Sequence, residues 1–289
     1  MGNATESRVA VITGASSGIG REAAKALARD GWRVFAIGRN PKRCAQAEAE
    51  ISAAAADAGR VTMICADLAL LAETARAAEQ ILASTDRVDA LLNNAGGVTA
   101  ERHITAEGNE NTFASNHLGH FLLTQKLLPL LRNSAAQTAP GTTRVVSVSS
   151  TGHEHTEGLD WDDLQTMREF VSGVAYCRAK LANILFTREL ARRHGPEGIT
   201  ALVMHPGVVH SNFASHAEPG MQEYMKTLDG ETPEVAADTL IWLASAAEPG
   251  TRAGEYFYLR ESIPTSAAAQ DAAAAEKLWE ESEKLVAGW

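Results

Sequence analysis

Short, nearly all-apolar runs alternate along the chain with longer Ala- and Leu-rich stretches of helical pattern. The short runs are RVAVITG (8–14), RVFAIG (33–38), VTMICAD (61–67), ALLNNAG (90–96), RVVSVSS (144–150), ITALVMHPG (199–207) and GEYFYL (254–259). Each predicts a strand, and their scarcity of polar alternation predicts strands covered on both faces. The segments between them are long enough for crossover helices. The whole pattern predicts an α/β fold, a Rossmann-type doubly wound parallel sheet with helices on both faces. No tandem repeat and no Pro/Ser-rich linker interrupts it, so one domain is expected over 1–289, with a core over 8–260 and a C-terminal tail over 261–289. In the tail, 261–270 reads as an irregular connection and DAAAAEKLWEESEKLVAGW as a helix. Leu278, Trp279 and Leu285 would dock that helix, and Glu280 with Lys284 would form an i,i+4 pair.

Composition narrows the partners. The 289 residues are 45% hydrophobic and carry a net charge of −10. That balance argues against a duplex nucleic-acid binder, which needs a basic face, and gives no reason to expect attraction to anionic lipid. Three cysteines, Cys44, Cys65 and Cys177, are odd in number and form no CxxC pair, which fits a reducing compartment without disulfides. The N-terminus lacks signal-peptide architecture, and Glu6 stands where a myristoylation signal wants Ser or Thr. FLLTQKLLPLLR is interrupted by Lys126, and no apolar run reaches about 18 residues. The expectation is a cytoplasmic protein without a membrane anchor.

TGASSGIG (13–20) follows the first strand and precedes a helical stretch stopped by Gly31. That context gives a glycine loop its meaning. Gly14 would let the chain turn, Gly18 and Gly20 would let backbone approach a pyrophosphate, and Ser16, Ser17 and Ile19 complete the loop. The helix start would add N–H groups and partial positive charge. The second strand ends at Gly38 with no acidic residue to hold a ribose 2′-hydroxyl. Arg39 and Asn40 follow instead, with Lys42 and Arg43 nearby, and a 2′-phosphate becomes the expected partner: NADP(H). Asp67 and Leu68 end the third strand, where Asp67 would accept from an adenine amino group or cap the next helix, or do both. Asn94, Ala95 and Gly96 end the fourth strand, where asparagine ties down backbone beside a cofactor.

Ser150 ends the fifth strand, and Tyr176 and Lys180 share one helix face. A free tyrosine, with a pKa of about 10, is a poor base at neutral pH. A neighbouring ammonium would lower that value and let Tyr176 exchange a proton with a carbonyl or alcohol oxygen. Ser150 would hold the same oxygen.

These motifs, in this order, resemble the short-chain dehydrogenase/reductase family over nearly the whole chain. FASNHLGHFLLT (113–124) resembles the family's helix with a catalytic asparagine, which implies that Asn116 bends the helix and holds a water relaying protons from Lys180. HPGVV (205–209) resembles the loop whose backbone, here Pro206, Gly207 and Val208, contacts the nicotinamide carboxamide. The 26-residue gap between Ser150 and Tyr176, AYCRAKLANILFTREL and KLWEESEKLV are similar to the retinol dehydrogenase branch and its soluble bacterial relatives.

The resemblance implies an NADP(H)-dependent oxidoreductase that interconverts a hydrophobic ketone or aldehyde with an alcohol. It also implies a homodimer or homotetramer, which the residues themselves do not derive. Membrane-anchored vertebrate members differ at their N-termini, and a soluble enzyme is expected here. Two other readings stay open: C=C reduction of the protochlorophyllide type, and a non-catalytic NADP(H) sensor.

Further expectations concern the surroundings. Thr151–Ala175 would wall the substrate, with Trp161, Met167 and Phe170 either lining the pocket or anchoring the loop. His153 would shape the pocket mouth. Cys177 would point away and pack. Segment 212–237 would form a substrate lid, as the resemblance implies. His153 and His155, or His205 and His210, are not expected to bind metal, because no third ligand is placed.

Overall fold

The computed structural model describes residues 7–210, 213, 215 and 217–289. Glu6 and residues 212, 214 and 216 of segment 212–237 therefore lie outside the described residues. All seven predicted strands form: β1 (Val9–Thr13), β2 (Arg33–Gly38), β3 (Val61–Cys65), β4 (Ala90–Asn93), β5 (Thr143–Val148), β6 (Ile199–Met204) and β7 (Tyr256–Tyr258). An eighth, β8 (Glu261–Ser262), lies inside the expected irregular connection. Among the described residues they make one sheet in the order 3-2-1-4-5-6-7-8, parallel except for the antiparallel β7–β8 pair.

Alternation along each strand splits the core in two. Val9, Val11, Leu91 and Val145 meet α3 (Leu71–Leu82), α5 (Gly119–Gln137), α6 (Ser172–His194) and the tail helix α9 (Ala272–Leu285). Ala10, Ile12, Leu92 and Val146 meet α1 (Gly18–Arg29), α2 (Pro41–Ala54) and α8 (Pro233–Ser245). Helices on both faces explain why the strands carry so little polar alternation. Two shorter helices complete the chain, α4 (Asn111–Phe113) and α7 (Pro219–Thr227).

Local chemistry sets several boundaries. Asn40 accepts from Arg43 N at 3.0 Å and precedes Pro41, a cap followed by proline at the first helical position. Asp271 caps α9 through Ala273 N and Ala274 N. The cap of α3 comes from far away: Glu107 accepts from Leu71 N at 2.6 Å and Ala72 N at 2.9 Å. Asp67 instead closes the preceding turn, accepting from Ala69 N at 3.0 Å.

The tail docks as expected. Leu278 and Trp279 are buried, and the Trp279 ring stacks on Phe186 and meets Phe121 edge-on. Lys284, however, pairs with Glu281 at 2.8 Å rather than with Glu280. A further tie joins the tail to α6, where Arg188 bonds to the Ala269 carbonyl and to Thr265 Oγ1.

Candidate active site

The C-terminal strand ends open onto one cleft of about 850 Å³. Gly14, Ser16, Ser17, Gly18 and Ile19 form its floor after β1. Gly14 has φ +70°, and a Cβ there would come within 2.9 Å of the Ala95 backbone, so the turn and the approach of the two loops both require glycine. Asn94 clamps those loops together through Nδ2 to the Thr13 carbonyl, 2.8 Å. Arg39, Asp67, Leu68, Asn94, Ala95, Gly96, Pro206, Gly207 and Val208 also line the cleft.

Two members of the expected cofactor set do not reach its wall. Gly20 lies behind it, where a Cβ would meet Asn94 Nδ2 and the Gly14 carbonyl, and Asn40 is the α2 cap. Arg43 lines the wall beside Arg39, whereas Lys42 does not. Arg43 Nε is buried and has no hydrogen-bond partner among the described residues. An orphaned guanidinium donor beside an exposed arginine fits a bound phosphate.

Tyr176 stands on α6 one turn after its start, with Lys180 one turn further on, both on the cleft wall. Lys180 Nζ lies 5.5 Å from the tyrosine ring centre and donates to the Val148 carbonyl at 3.3 Å. Burial pushes the Lys180 pKa down to about 8. Burial also drives the Tyr176 phenol above its ordinary value, against the hydrogen bond from Ser150, which favours the phenolate. This corrects the expected direction: desolvation outweighs the Ser150 hydrogen bond, and neighbouring Cys177 adds to the rise. Tyr176 is therefore protonated, the form that a proton donor needs. Ser150 Oγ also accepts from Gly152 N at 3.0 Å, which fixes its rotamer. Its neighbour Ser149 points inward and donates to the Lys180 carbonyl at 2.7 Å.

Asn116 is fully buried behind the wall, inside a five-residue π-turn (Ala114–Leu118) between α4 and α5. Its Nδ2 donates to the Gly97 and Thr112 carbonyls, and Oδ1 accepts from Gly97 N at 3.3 Å. A Cβ on Gly96 would sit 2.5 Å from Asn116 Oδ1 and 3.0 Å from Lys180 Nζ. Glycine there is what brings the asparagine and lysine head groups together beside the cofactor loop.

The surroundings differ from expectation in four ways. His153 is buried, with Nδ1 donating to the Ser150 carbonyl at 2.7 Å and Nε2 accepting from Ser266 N; His155 lines the cleft instead. Of the insert, only Thr151, Gly152, His155 and Gly173 line the cleft, while Trp161 packs on the tail under Lys277 and is an anchor. Cys177 lines the cleft rather than turning away, with burial holding its thiol protonated. Tyr258, stacked 4.3 Å from His205, closes the cleft beside Pro206 and Gly207 and carried no signal beyond its strand pattern. Phe213, Met221, Met225 and Leu228 add an apolar rim from the 212–237 segment. Among the described residues no group of three His, Cys, Asp or Glu side chains could hold a metal.

The chain matches the protein-family model described as short chain dehydrogenase over residues 8–222. It is 35% identical to Retinol dehydrogenase 13 of Homo sapiens, across 96% of this chain and 84% of that one. A crystal structure of an uncharacterised protein from Mycobacterium Paratuberculosis is similar over 96% of this chain and 93% of its own, with a TM-score of 0.73 and 32% identity. The Pseudomonas aeruginosa RhlG/NADP active-site complex is similar over 87% and 94%, with a TM-score of 0.68 and 29% identity.

Proposed function

Because the chain belongs to the short-chain dehydrogenase family, we propose that it is an NADP(H)-dependent oxidoreductase interconverting a hydrophobic ketone or aldehyde with the corresponding alcohol. The carrying observation is the convergence of Ser150, Tyr176 and Lys180 on the wall of one apolar-rimmed cleft. When bound, the nicotinamide supplies or accepts the hydride. Gly14 to Ile19 would cradle the pyrophosphate, and Arg39 with Arg43 Nε, which has no partner among the described residues, would hold the 2′-phosphate. Ser150 orients the substrate oxygen, and Tyr176 delivers its proton there as the carbonyl is reduced. The Lys180 ammonium would then return a proton to the tyrosinate, with Asn116 holding the water that relays it. The rim of Phe213, Met221, Met225 and Leu228 supports an apolar substrate.

The test follows deuterium from [4-²H]NADPH into product across aliphatic aldehydes, aryl ketones, steroids and retinal. Label on a carbinol carbon supports carbonyl reduction. Label on a saturated former alkene carbon would replace it with C=C reduction, and NADPH binding without any transfer would favour a sensor. For the cofactor, Arg39→Asp is expected to weaken NADPH about tenfold or more while leaving NADH nearly unchanged, in line with loss of a charged hydrogen bond. Equal effects on both cofactors would remove the 2′-phosphate role.

A further inference from the structure

His120 lies on α5 one turn after Asn116 and is 2% exposed. The proposed chemistry gives it no role, yet both of its ring nitrogens are engaged. Nδ1 is 3.0 Å from the Asn116 backbone carbonyl, and Nε2 is 3.0 Å from Thr13 Oγ1. That hydroxyl in turn accepts from Asn94 N and Ala95 N, each at 2.9 Å. One imidazole thus joins the π-turn carrying Asn116 to the loop that lines the cofactor cleft.

The donor count fixes the protons. A carbonyl only accepts, so Nδ1 must carry hydrogen. The two amides fill both lone pairs of the Thr13 oxygen, so that oxygen has only its own hydrogen left to offer. The Leu92 carbonyl, 3.2 Å away, is the more distant of the two acceptors within reach of that hydrogen. Nε2 has no other donor, so the hydroxyl hydrogen goes to Nε2. A proton on Nε2 would face an oxygen with no free lone pair. Burial and the charge of Lys180 on α6 also act against protonation, outweighing the hydrogen bond to the Asn116 carbonyl.

We propose that His120 is a positioning residue, held neutral with its hydrogen on Nδ1, that locks the Asn116 π-turn to the Asn94–Ala95 loop through Thr13. The claim that this lock serves proton return rests on the function proposed above; the tautomer itself does not. A π-turn shifts helical hydrogen bonds out of register, and functional sites use that shift to aim a side chain. Here the imidazole gives the turn a second, non-helical anchor. Asn116 is then set by the cofactor loop as well as by its own helix, so the loop that would touch nicotinamide also sets the relay geometry.

The tautomer is read in the unliganded protein by long-range ¹H–¹⁵N correlation of labelled histidines, with His120→Gln for assignment. The neutral Nδ1–H form is expected across roughly pH 5 to 8. An Nε2–H form, or titration inside that window, overturns the lock. Kinetics then separate positioning from packing. His120→Gln offers an amide N–H and a carbonyl to the same two partners and should keep kcat within about threefold, while His120→Leu should lower kcat about 10²-fold with KM and NADPH affinity within about threefold. Unchanged kcat in His120→Leu, or equal losses in both variants, rejects the role. If His120→Leu does not fold, the glutamine variant and the tautomer still decide. Absence of carbonyl turnover in the parent protein would instead count against the proposed function, and the tautomer result would stand apart from it.

Discussion

At the scale of single residues, the site trades stability for chemistry. Lys180 is 4% exposed, and its pKa of about 8 lies below the ordinary 10.5 of lysine. Its charge is therefore buried at a cost below pH about 8, and that cost fades as pH rises from the folded value toward the unfolded one, where the unfolded chain binds the extra proton. Two outcomes follow. Lys180→Met should lose turnover by about 10²-fold or more while melting at or above the parent temperature at pH 7. The difference in melting temperature between variant and parent should shrink toward pH 10, a comparison by calorimetry at the two pH values. On the proposed mechanism, carbonyl reduction by the parent should decline as pH rises through about 8, when the ammonium that would support proton return is lost. A flat rate from pH 7 to 9 would detach Lys180 from the step.

At the scale of elements, close approach is what the fold spends its glycines on. A Cβ on Gly119, the first residue of α5, would lie 2.2 Å from the Leu68 carbonyl oxygen, a backbone atom that cannot swing aside. Gly119→Ala should cost about 1–3 kcal/mol through overpacking and weaken NADPH, because Leu68 lines the cleft; denaturant melts and cofactor titration check both. Glu107→Ala should cost about 1 kcal/mol by uncapping α3. These contacts mark the limit of what the sequence discloses. Strands β1 to β7, the glycine loop and the Tyr176–Lys180 pair were legible because period and spacing are local. Glu107 as the cap of α3, His153 as a buried bridge to Ser266, and His120 as a link to Thr13 were not, since each partner is brought in by the fold across 36, 113 and 107 residues. A bend at Asn116 was expected only through the family resemblance, and its form as a π-turn was not expected, because hydrophobic period does not distinguish it from ordinary helix.

At the scale of the whole molecule, the tail belongs to the core rather than trailing from it. Trp279 is 3% exposed among Phe121, Phe186 and His194, and His117 in the π-turn bonds to Ser282 at 2.8 Å. Trp279→Ala should destabilise the protein by about 3–5 kcal/mol, read from the urea midpoint. No helix among the described residues is long and apolar enough to cross a membrane. The sheet, two-faced core and docked tail together hold the strand ends fixed, and the cleft at those ends is where the account stands or falls. The most direct test is steady-state NADPH oxidation with an accepted carbonyl substrate, comparing the parent with Tyr176→Phe. Equal NADPH affinity with turnover lower by about 10²–10⁴-fold is the predicted result; undiminished turnover in the phenylalanine variant would contradict Tyr176 as the proton donor.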